Sequence, residues 1–395
     1  MKRKMLFLMV LSVFALSKAE TNSPYITRVF EFTPAPGQFI NTLPKWDADD
    51  TADSMALKAE KAIANNNKGM ISLGGYGGYV VLGFDHTIVN LPDSCDFKVL
   101  GNAFWSASNP NPNASKRGGS CEPGIVMVSV DANNNGLPDD EWYELAGSEY
   151  NSTATIKNYT ITYYKPDSNK TAVPDPKNSF LTDTTYIRWQ TNGHGNGYLY
   201  KNSFHSQSYW PQWLKGDSVV FTGTKLANNY VDESGVGTYY VQYSYPWGYA
   251  DNAPNTDTMS NMDIDWAVDK DGNKVNLTGI DFIKIYTGVN QYCGWLGETS
   301  TEVMGIEDLH PAASSVSGLN QTTKTNTLRI IGNPIQEALI LNSLLPQSIR
   351  IYNTSGIQIK TVQLSEGTNY LDCSALSKGI YLLKSNSDIL KFIKQ

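Results

Sequence analysis

Residues 79–84 read YVVLGF, residues 124–130 GIVMVSV and residues 280–288 IDFIKIYTG, each bounded by Gly, Asn, Asp or Pro. Short runs rich in Val, Ile and aromatics between turn formers read as strands. Five more runs have the same character: YTITYY (159–164), TYIRW (185–189), SVVFTG (218–223), TYYVQYSY (238–245) and MDIDWAV (262–268). No helical period separates them. The spacing therefore predicts an all-β fold, an antiparallel β-sandwich or jelly roll, and not a parallel α/β sheet. One N-terminal helix stands apart. Residues 51–64 (TADSMALKAEKAIA) carry Met55, Leu57, Ala59, Ala62 and Ile63 at helical spacing. Asp49, Asp50 or Thr51 is the expected N-cap, and Asn65 to Gly69 stop the helix. The acidic string Asp47, Asp49, Asp50 and Asp53 reads as a cap that complements the helix dipole. No internal repeat occurs, which argues against a propeller or solenoid. A sandwich this long needs long loops or an inserted hairpin, expected within 105–120 and 190–215.

Composition agrees with strands. Only 17% of the 395 residues are charged, against about 25% in an average domain, while 32 Gly and 23 Tyr stand beside abundant Asn, Ser and Thr. The net charge of −7 argues against nucleic acid or an anionic membrane surface as the main partner.

The two termini read as address labels. Lys2, Arg3 and Lys4 precede an apolar run, MLFLMVLSVFA, and Ser17-Lys18-Ala19 places small residues at the −3 and −1 positions of a cleavage site. Residues 1–19 are therefore expected to be a signal peptide, with the mature chain starting at Glu20. No Cys follows to carry a lipid, and no later run is long enough for a transmembrane helix. After a cargo domain, 20–310, comes a Ser/Thr/Asn-rich linker, 311–326, and then a change to short β-runs over 327–395. Ile349 and Ile351, then Ile357 and Ile359, flank Asn353-Thr354-Ser355-Gly356, which predicts a hairpin. This segment resembles the C-terminal sorting domain of the type IX secretion system of the Bacteroidetes. The likeness is carried by Asn333-Pro334, Ile351-Tyr352-Asn353 to Gly356, Leu371-Asp372-Cys373-Ser374, Lys378-Gly379-Ile380-Tyr381 and Lys391-Phe392-Ile393-Lys394. It departs at Cys373, where the family carries an aliphatic or small residue. The resemblance implies a small β-sandwich, engagement of the type IX machinery, passage through the periplasm, and release or attachment at the outer surface.

The sharpest motif in the cargo is Asp131-Ala132-Asn133-Asn134-Asn135-Gly136, followed by Asp139, Asp140 and Glu141. Oxygen ligands at alternate positions and a Gly for the sharp turn match the first half of an EF-hand loop, but Trp142 stands where the bidentate Glu would be. The spacing predicts a β-borne, structural calcium site using Asp131, Asn133, Asn135, Asp139, Asp140 and Glu141. Asp269 to Asn273 contains Asp-Gly between apolar runs and reads as a plain turn. Cys95, Cys121 and Cys293 lie in the cargo. An oxidising exterior permits a disulfide, Cys95 and Cys121 being the closest pair, but the spacing does not suit zinc.

Catalytic signatures are sparse. There is no GxSxG elbow, HExxH or helix-capping phosphate loop, since Gly74-Gly75-Tyr76-Gly77-Gly78 leads into a strand. No residue is assigned a catalytic role, and whether the chain is an enzyme is left open, with binding ranked first. Glu298 and Glu302 are the pair to test for glycoside chemistry. His86 reads as a satisfied edge residue. His194 and His205, in a Gly/Asn-rich loop, are candidates for ligand contact. So are Tyr209, Trp210, Trp213, Trp247 and Tyr249, whose flat rings beside Pro and Gly suit stacking on sugar faces; core packing is the competing reading for each.

Residues 25–310 also resemble a family of cell-surface proteins of the Bacteroidetes. The resemblance rests on Pro36-Gly37-Gln38-Phe39, Leu73-Gly74-Gly75, Gly83-Phe84-Asp85-His86, Gly101-Asn102-Ala103-Phe104, Glu122-Pro123-Gly124, Asp139 to Leu145, Gly248 to Asn252 and Gly297-Glu298 to Glu302. It implies β architecture, surface location and a role in nutrient capture, with a glycan or a scavenged cofactor such as a corrinoid as ligand. The expected protein is a calcium-stabilised, surface-attached or secreted binding protein. A glycan-active hydrolase or lyase is the second reading, and an adhesion or coat protein the third.

Overall fold

The computed structural model describes residues 22–65, 68–106, 117–316, 328–353, 357–385 and 389–395. The signal-peptide reading, residues 107–116, most of the linker and the turn at 354–356 lie outside the described residues. The rest is an all-β chain of several antiparallel sheets with few helices.

The organising element is a six-stranded sheet in the order Arg28–Thr33, Tyr79–Val89, Gly279–Thr287, Gly124–Ser129, Trp142–Leu145, Ala267–Val268. Its three central strands are the three runs read first from the sequence. Apart from the partly buried Asp281 and Lys284, these runs are mostly apolar, because both faces are covered. Val80, Leu82, Val126, Val128, Ile283 and Ile285 face one core, and Tyr79, Ile125, Met127 and Tyr286 face the other. Successive side chains point to opposite faces of a strand, so each strand serves both layers.

The first layer contains the helix Ala52–Ile63. Its cap is Thr51, one of the three expected positions: Thr51 Oγ1 accepts from Ser54 N at 3.3 Å, and Ser54 Oγ from Thr51 N at 2.8 Å. Asp50 accepts from Ser54 Oγ at 2.8 Å, and Lys58 pairs with Asp47 at 2.7 Å and with Asp50. Met55, Ala56, Ala59 and Ile63 are buried against the core, each large side chain worth roughly 1.5–3 kcal/mol. The second layer is a four-stranded sheet, Asn196–Asn202, Leu181–Thr191, Ile156–Tyr164, Ser218–Lys225, whose first pair is a hairpin that begins ahead of the 190–215 region expected to hold a loop or hairpin and overlaps it. A third sheet, Tyr230–Asp232, Tyr240–Tyr243, Gly118–Ser120, Phe104–Trp105, closes one end.

Residues 262–268, expected as one strand, are a correction. Only Asn261–Met262 and Ala267–Val268 pair, around a 3-10 turn at Ile264–Trp266. Asp263 accepts from Asp265 N at 2.8 Å and Asp96 from Ile264 N at 2.9 Å, so side-chain carboxylates take backbone donors that a ladder would use. The Asp269 segment is the turn expected, with Asp271 N and Asn273 N both donating to Asp269 Oδ1. His86 bridges Asp85 Oδ1 at 2.6 Å and Asp308 Oδ2 at 2.8 Å. Burial pulls its pKa down, but hydrogen bonds to Asp308 and Asp85 outweigh it and raise it to about 9, so this histidine is a structural cation at neutral pH.

Pro311–Val316, in the expected linker, is a short helix. The C-terminal unit is two packed sheets: Leu328–Ile331, Ala338–Ser343, Gly367–Asp372, and Gln358–Leu364, Gln347–Asn353, Gly379–Lys384, Ile389–Lys394. The expected hairpin pairs Gln347–Asn353 with Gln358–Leu364; Ile349 and Ile351 are buried, while Ile357 and Ile359 are exposed. Cys373 sits in this core as a small apolar side chain. All four cysteines are free.

Candidate functional site

The chain crosses itself repeatedly at the edge where Gly124–Ser129 begins and Gly279–Thr287 ends. Gly124 and Ala250 exchange both backbone hydrogen bonds at 2.9 Å, and Glu122 N donates to Asp251 O at 2.9 Å. Glu302–Val303 pairs with Ile71–Ser72, and Gln242 pairs with Gly119. The turns at Gly37 and Gly74 approach so closely that a Cβ on Gly37 would lie 2.8 Å from Gly74 Cα and 2.9 Å from Glu298 Oε1. A Cβ on Gly101 would lie 2.3 Å from Asp251 Oδ1. Glycine is required at both positions by close approach.

These crossings bring carboxyl groups together in the interior. Oxygens of Glu122, Asp251 and Glu302 all lie within 4.8 Å of one another, the group of three acids among the described residues spaced to share protons or a cation. Asp251 is held at φ +52° and spends both oxygens on backbone donors: Asn102 N and Ala103 N at 2.8 Å, Glu302 N at 3.0 Å. Glu302 and Glu122 share a hydrogen bond, so one of the two carries its proton. Ser72 Oγ donates to Glu302 Oε1 at 3.1 Å, and Gln242 Nε2 to Glu122 Oε1 at 3.3 Å. Burial, then the charge of Glu122, pushes Asp251 up to about 8; burial likewise raises Glu122 and, with Glu122 and Asp251 beside it, Glu302. Glu298 accepts from Gln38 N at 2.5 Å. Burial raises it to about 7 against that bond, which places its proton equilibrium at working pH.

A cavity of about 350 Å³ opens onto Glu122, Glu298 and Glu302. Gln38 and Gln242 join them on its wall, and Phe39, Phe204, His205 and Trp295 supply rings. Phe204 is 61% and Trp295 40% exposed, so apolar faces stand at the mouth and acids within. His205 packs edge-on against Phe39 at 4.7 Å. Burial, then the charge of Lys201, lowers its pKa, so a neutral imidazole is favoured. The arrangement can accept hydrogen bonds from hydroxyl groups, stack on a ring face, and hold or move a proton at Glu298.

The residues singled out from the sequence divide sharply. Glu298, Glu302 and His205 meet at this cavity. His194 is exposed beside the Tyr159 ring at 5.5 Å and does not line this cavity. Tyr209, Trp210, Trp213 and Tyr249 are at most 7% exposed and belong to the cores: ring area at a strand end contributes more to stability when buried than left in water. Trp247 remains 39% exposed, packed on Trp266 at 4.6 Å. Glu122 and Asp251 carry no site signal in the sequence, although both fall within the motifs given above. Six of those motif segments, from Gly37 to Glu302, converge here.

The Asp131 loop is exposed and apart from the cavity. Asp131 Oδ1 accepts from Asn135 N at 2.9 Å and Oδ2 from Gly136 N at 2.8 Å; Asn133 and Asn135 amides both donate to Asp139, and Ala132 N to Asp140 at 3.1 Å. Five of the six expected ligands thus share one loop. Glu141 instead accepts from the Tyr143 hydroxyl at 3.2 Å. The three carboxylates here are tied to neutral N–H groups, and among the described residues they are not gathered as the Glu122, Asp251 and Glu302 oxygens are.

Residues 329–395 match the family model described as the secretion system C-terminal sorting domain. The match indicates export by type IX secretion to the outer surface or the medium, and engagement of that machinery. The match does not extend to the cargo, and the expected cargo family is not confirmed by it. No curated protein matches the chain in sequence. Among solved structures, Faecalibacterium prausnitzii Beta-glucuronidase is similar at 9% identity over 72% of this chain and 47% of its own, with a TM-score of 0.15. The chain spans about half the length of that structure, and the score carries no argument about fold or activity. No helix among the described residues is long and apolar enough to cross a membrane.

Proposed function

We propose that the exported domain binds a neutral glycan, or a small polyhydroxylated nutrient, in the carboxyl-lined cavity at the cell surface. The carrying observation is the cavity itself: acceptor-rich acids and amides inside, exposed rings at the mouth. Uncharged hydroxyls donate to Glu122, Glu298 and Glu302, and Trp295 offers a face for a sugar ring. An anionic ligand would be repelled by the same acids. A glycan array probed with the secreted chain tests this. Wild type is expected to retain neutral oligosaccharides, with affinity at least tenfold lower in Trp295→Ala and in Glu298→Gln. Equal retention by both variants, or retention of acidic glycans alone, refutes it.

One observation favours a second reading, a glycan hydrolase or lyase. Glu298, raised to about 7, stands in the same cavity as a proton-sharing Glu122–Glu302 pair, the setting of acid–base chemistry. Release of reducing ends by wild type and not by Glu298→Gln would make the protein an enzyme.

Calcium at the Asp131 loop supports this domain as a structural ion in the proposal. At a free concentration one hundred times its dissociation constant, an ion bound only to the folded state adds about 2.7 kcal/mol. Chelator is expected to lower the melting temperature of wild type and to leave Asp131→Ala unmoved. Identical melts of wild type with and without chelator rule the ion out.

A further inference from the structure

A second cavity, of about 460 Å³, lies against the hairpin Leu181–Thr191 and Asn196–Asn202 and shares no lining residue with the first. Its charges do not pair off evenly. Lys170 is matched by Asp183 at 3.4 Å, donates to Thr185 O at 2.5 Å and also contacts the Thr185 hydroxyl. Asp167 accepts from Asn169 N at 2.8 Å. Lys201 is different. Among the described residues no carboxylate lies within ion-pairing distance of it. Its ammonium donates to Gln207 O and stands over the ring faces of Tyr209 at 4.1 Å and Tyr186 at 5.0 Å. Burial lowers its pKa to about 8, and the charge of Glu298, beyond ion-pairing distance, offsets only part of that.

A second observation is independent of that charge. Trp210 lines the same cavity, is 1% exposed, and its indole Nε1–H is buried without an acceptor. Indole N–H can only donate, so the missing partner must be an acceptor. Nearby polar groups do not supply it: Gln212 Nε2 donates to Ser208 Oγ and to Trp210 O, both at 2.9 Å. An unpaired cation and an unpaired donor beside aromatic rings call for an oxygen acceptor carrying negative charge.

We propose that this cavity binds a small sugar bearing an oxyanion, a carboxylate or a phosphate, held by the Lys201 ammonium and the Trp210 indole N–H beside the Tyr186 ring. The two cavities then take ligands of opposite preference, neutral in the acidic one and anionic here.

Titration calorimetry on the secreted chain tests it, with galacturonate, inorganic phosphate and galactose as probes. Galacturonate or phosphate is expected to bind, and the tighter of the two identifies the oxyanion. Lys201→Met is expected to weaken that binding at least tenfold, Trp210→Phe about fivefold, and Lys201→Arg less than threefold. Trp210→Phe keeps the ring and serves as the test where Lys201→Met does not fold. Galactose, which lacks the oxyanion, is expected to bind equally to wild type and Lys201→Met, which separates this cavity from the acidic one. Binding of neither anion, or unchanged anion affinity in Lys201→Met or Trp210→Phe, overturns the proposal.

Discussion

Replacing Glu298 by Gln is expected to stabilise the cargo domain by about 3 kcal/mol at pH 8.5 and to leave it nearly unchanged at pH 4. The carboxyl is buried, and its pKa is raised from 4.5 to about 7 by that burial, against hydrogen bonds from Gln38 and with Glu122 adding to the rise. The native state therefore holds a proton that the unfolded chain has already released. That contribution is fully present below about pH 4.5 and is lost as pH rises through 7, because ionising a buried acid beside other acids costs more than ionising it in water. The full shift corresponds to about 3 kcal/mol. An amide of the same shape still accepts from Gln38 N and never ionises, so the variant escapes the loss. Urea unfolding followed by tryptophan fluorescence measures this cleanly. All nine Trp lie before residue 310, so the C-terminal unit is silent. A variant less stable than wild type at pH 8.5 would mean that the carboxylate is structural. A stabilised one marks a group kept for its chemistry at the expense of stability.

Asp251→Ala is expected to have the opposite sign and a larger size, a loss of about 4–6 kcal/mol at pH 6. Three backbone N–H groups, from Asn102, Ala103 and Glu302, donate to this one carboxyl, and the alanine variant leaves all three without that acceptor. Each unsatisfied donor costs about 1–3 kcal/mol, partly offset because a buried acid beside Glu122 is removed. The residue also sits at φ +52°, a conformation that Asp and Asn tolerate and Ala does not favour. Asp251→Asn keeps an oxygen for Asn102 and Ala103 and is expected to lose less than half as much. The same fluorescence-detected unfolding decides it. A cost below 1 kcal/mol for the alanine variant would show that the three segments do not depend on this side chain for their crossing.

Much of this was legible in the linear chain, for reasons that can be named. The apolar runs at 79–84, 124–130 and 280–288 are strands buried on both faces, and such a strand reads as a near-continuous apolar run, interrupted here by a charge only at the partly buried Asp281 and Lys284. The helix cap at Thr51 and the turn at Asp269 are local hydrogen-bond problems solved within four residues, so local sequence suffices. Residues 262–268 misled because their alternation suits a strand, while Asp96, distant in sequence, takes the amide of Ile264. The aromatic clusters at 209–213 and 249 are hard to read from sequence for a different reason. A Trp beside Pro in a Gly-rich stretch looks like a loop platform, but whether its face meets water depends on which layer folds over it. Here Tyr209 and Trp210 are covered by the second sheet, and Trp295, passed over, is left at the cavity mouth.

From its sequence alone the protein is an exported, strand-built cargo with a secretion sorting domain behind it, because those properties are written in contiguous residues: periodicity, turn chemistry and a C-terminal motif set. Which acids form the site was decided by tertiary structure. Glu122, Asp251, Glu298 and Glu302 span 180 positions and come within reach only where glycine turns allow backbones to cross at the edge of the central sheet. Burial there, and not residue identity, raises Glu298 to about 7 and makes Glu122 and Glu302 share a proton. The same packing leaves Lys201 without a counterion and the Trp210 indole without an acceptor, since a missing partner is a property of what the fold brings near.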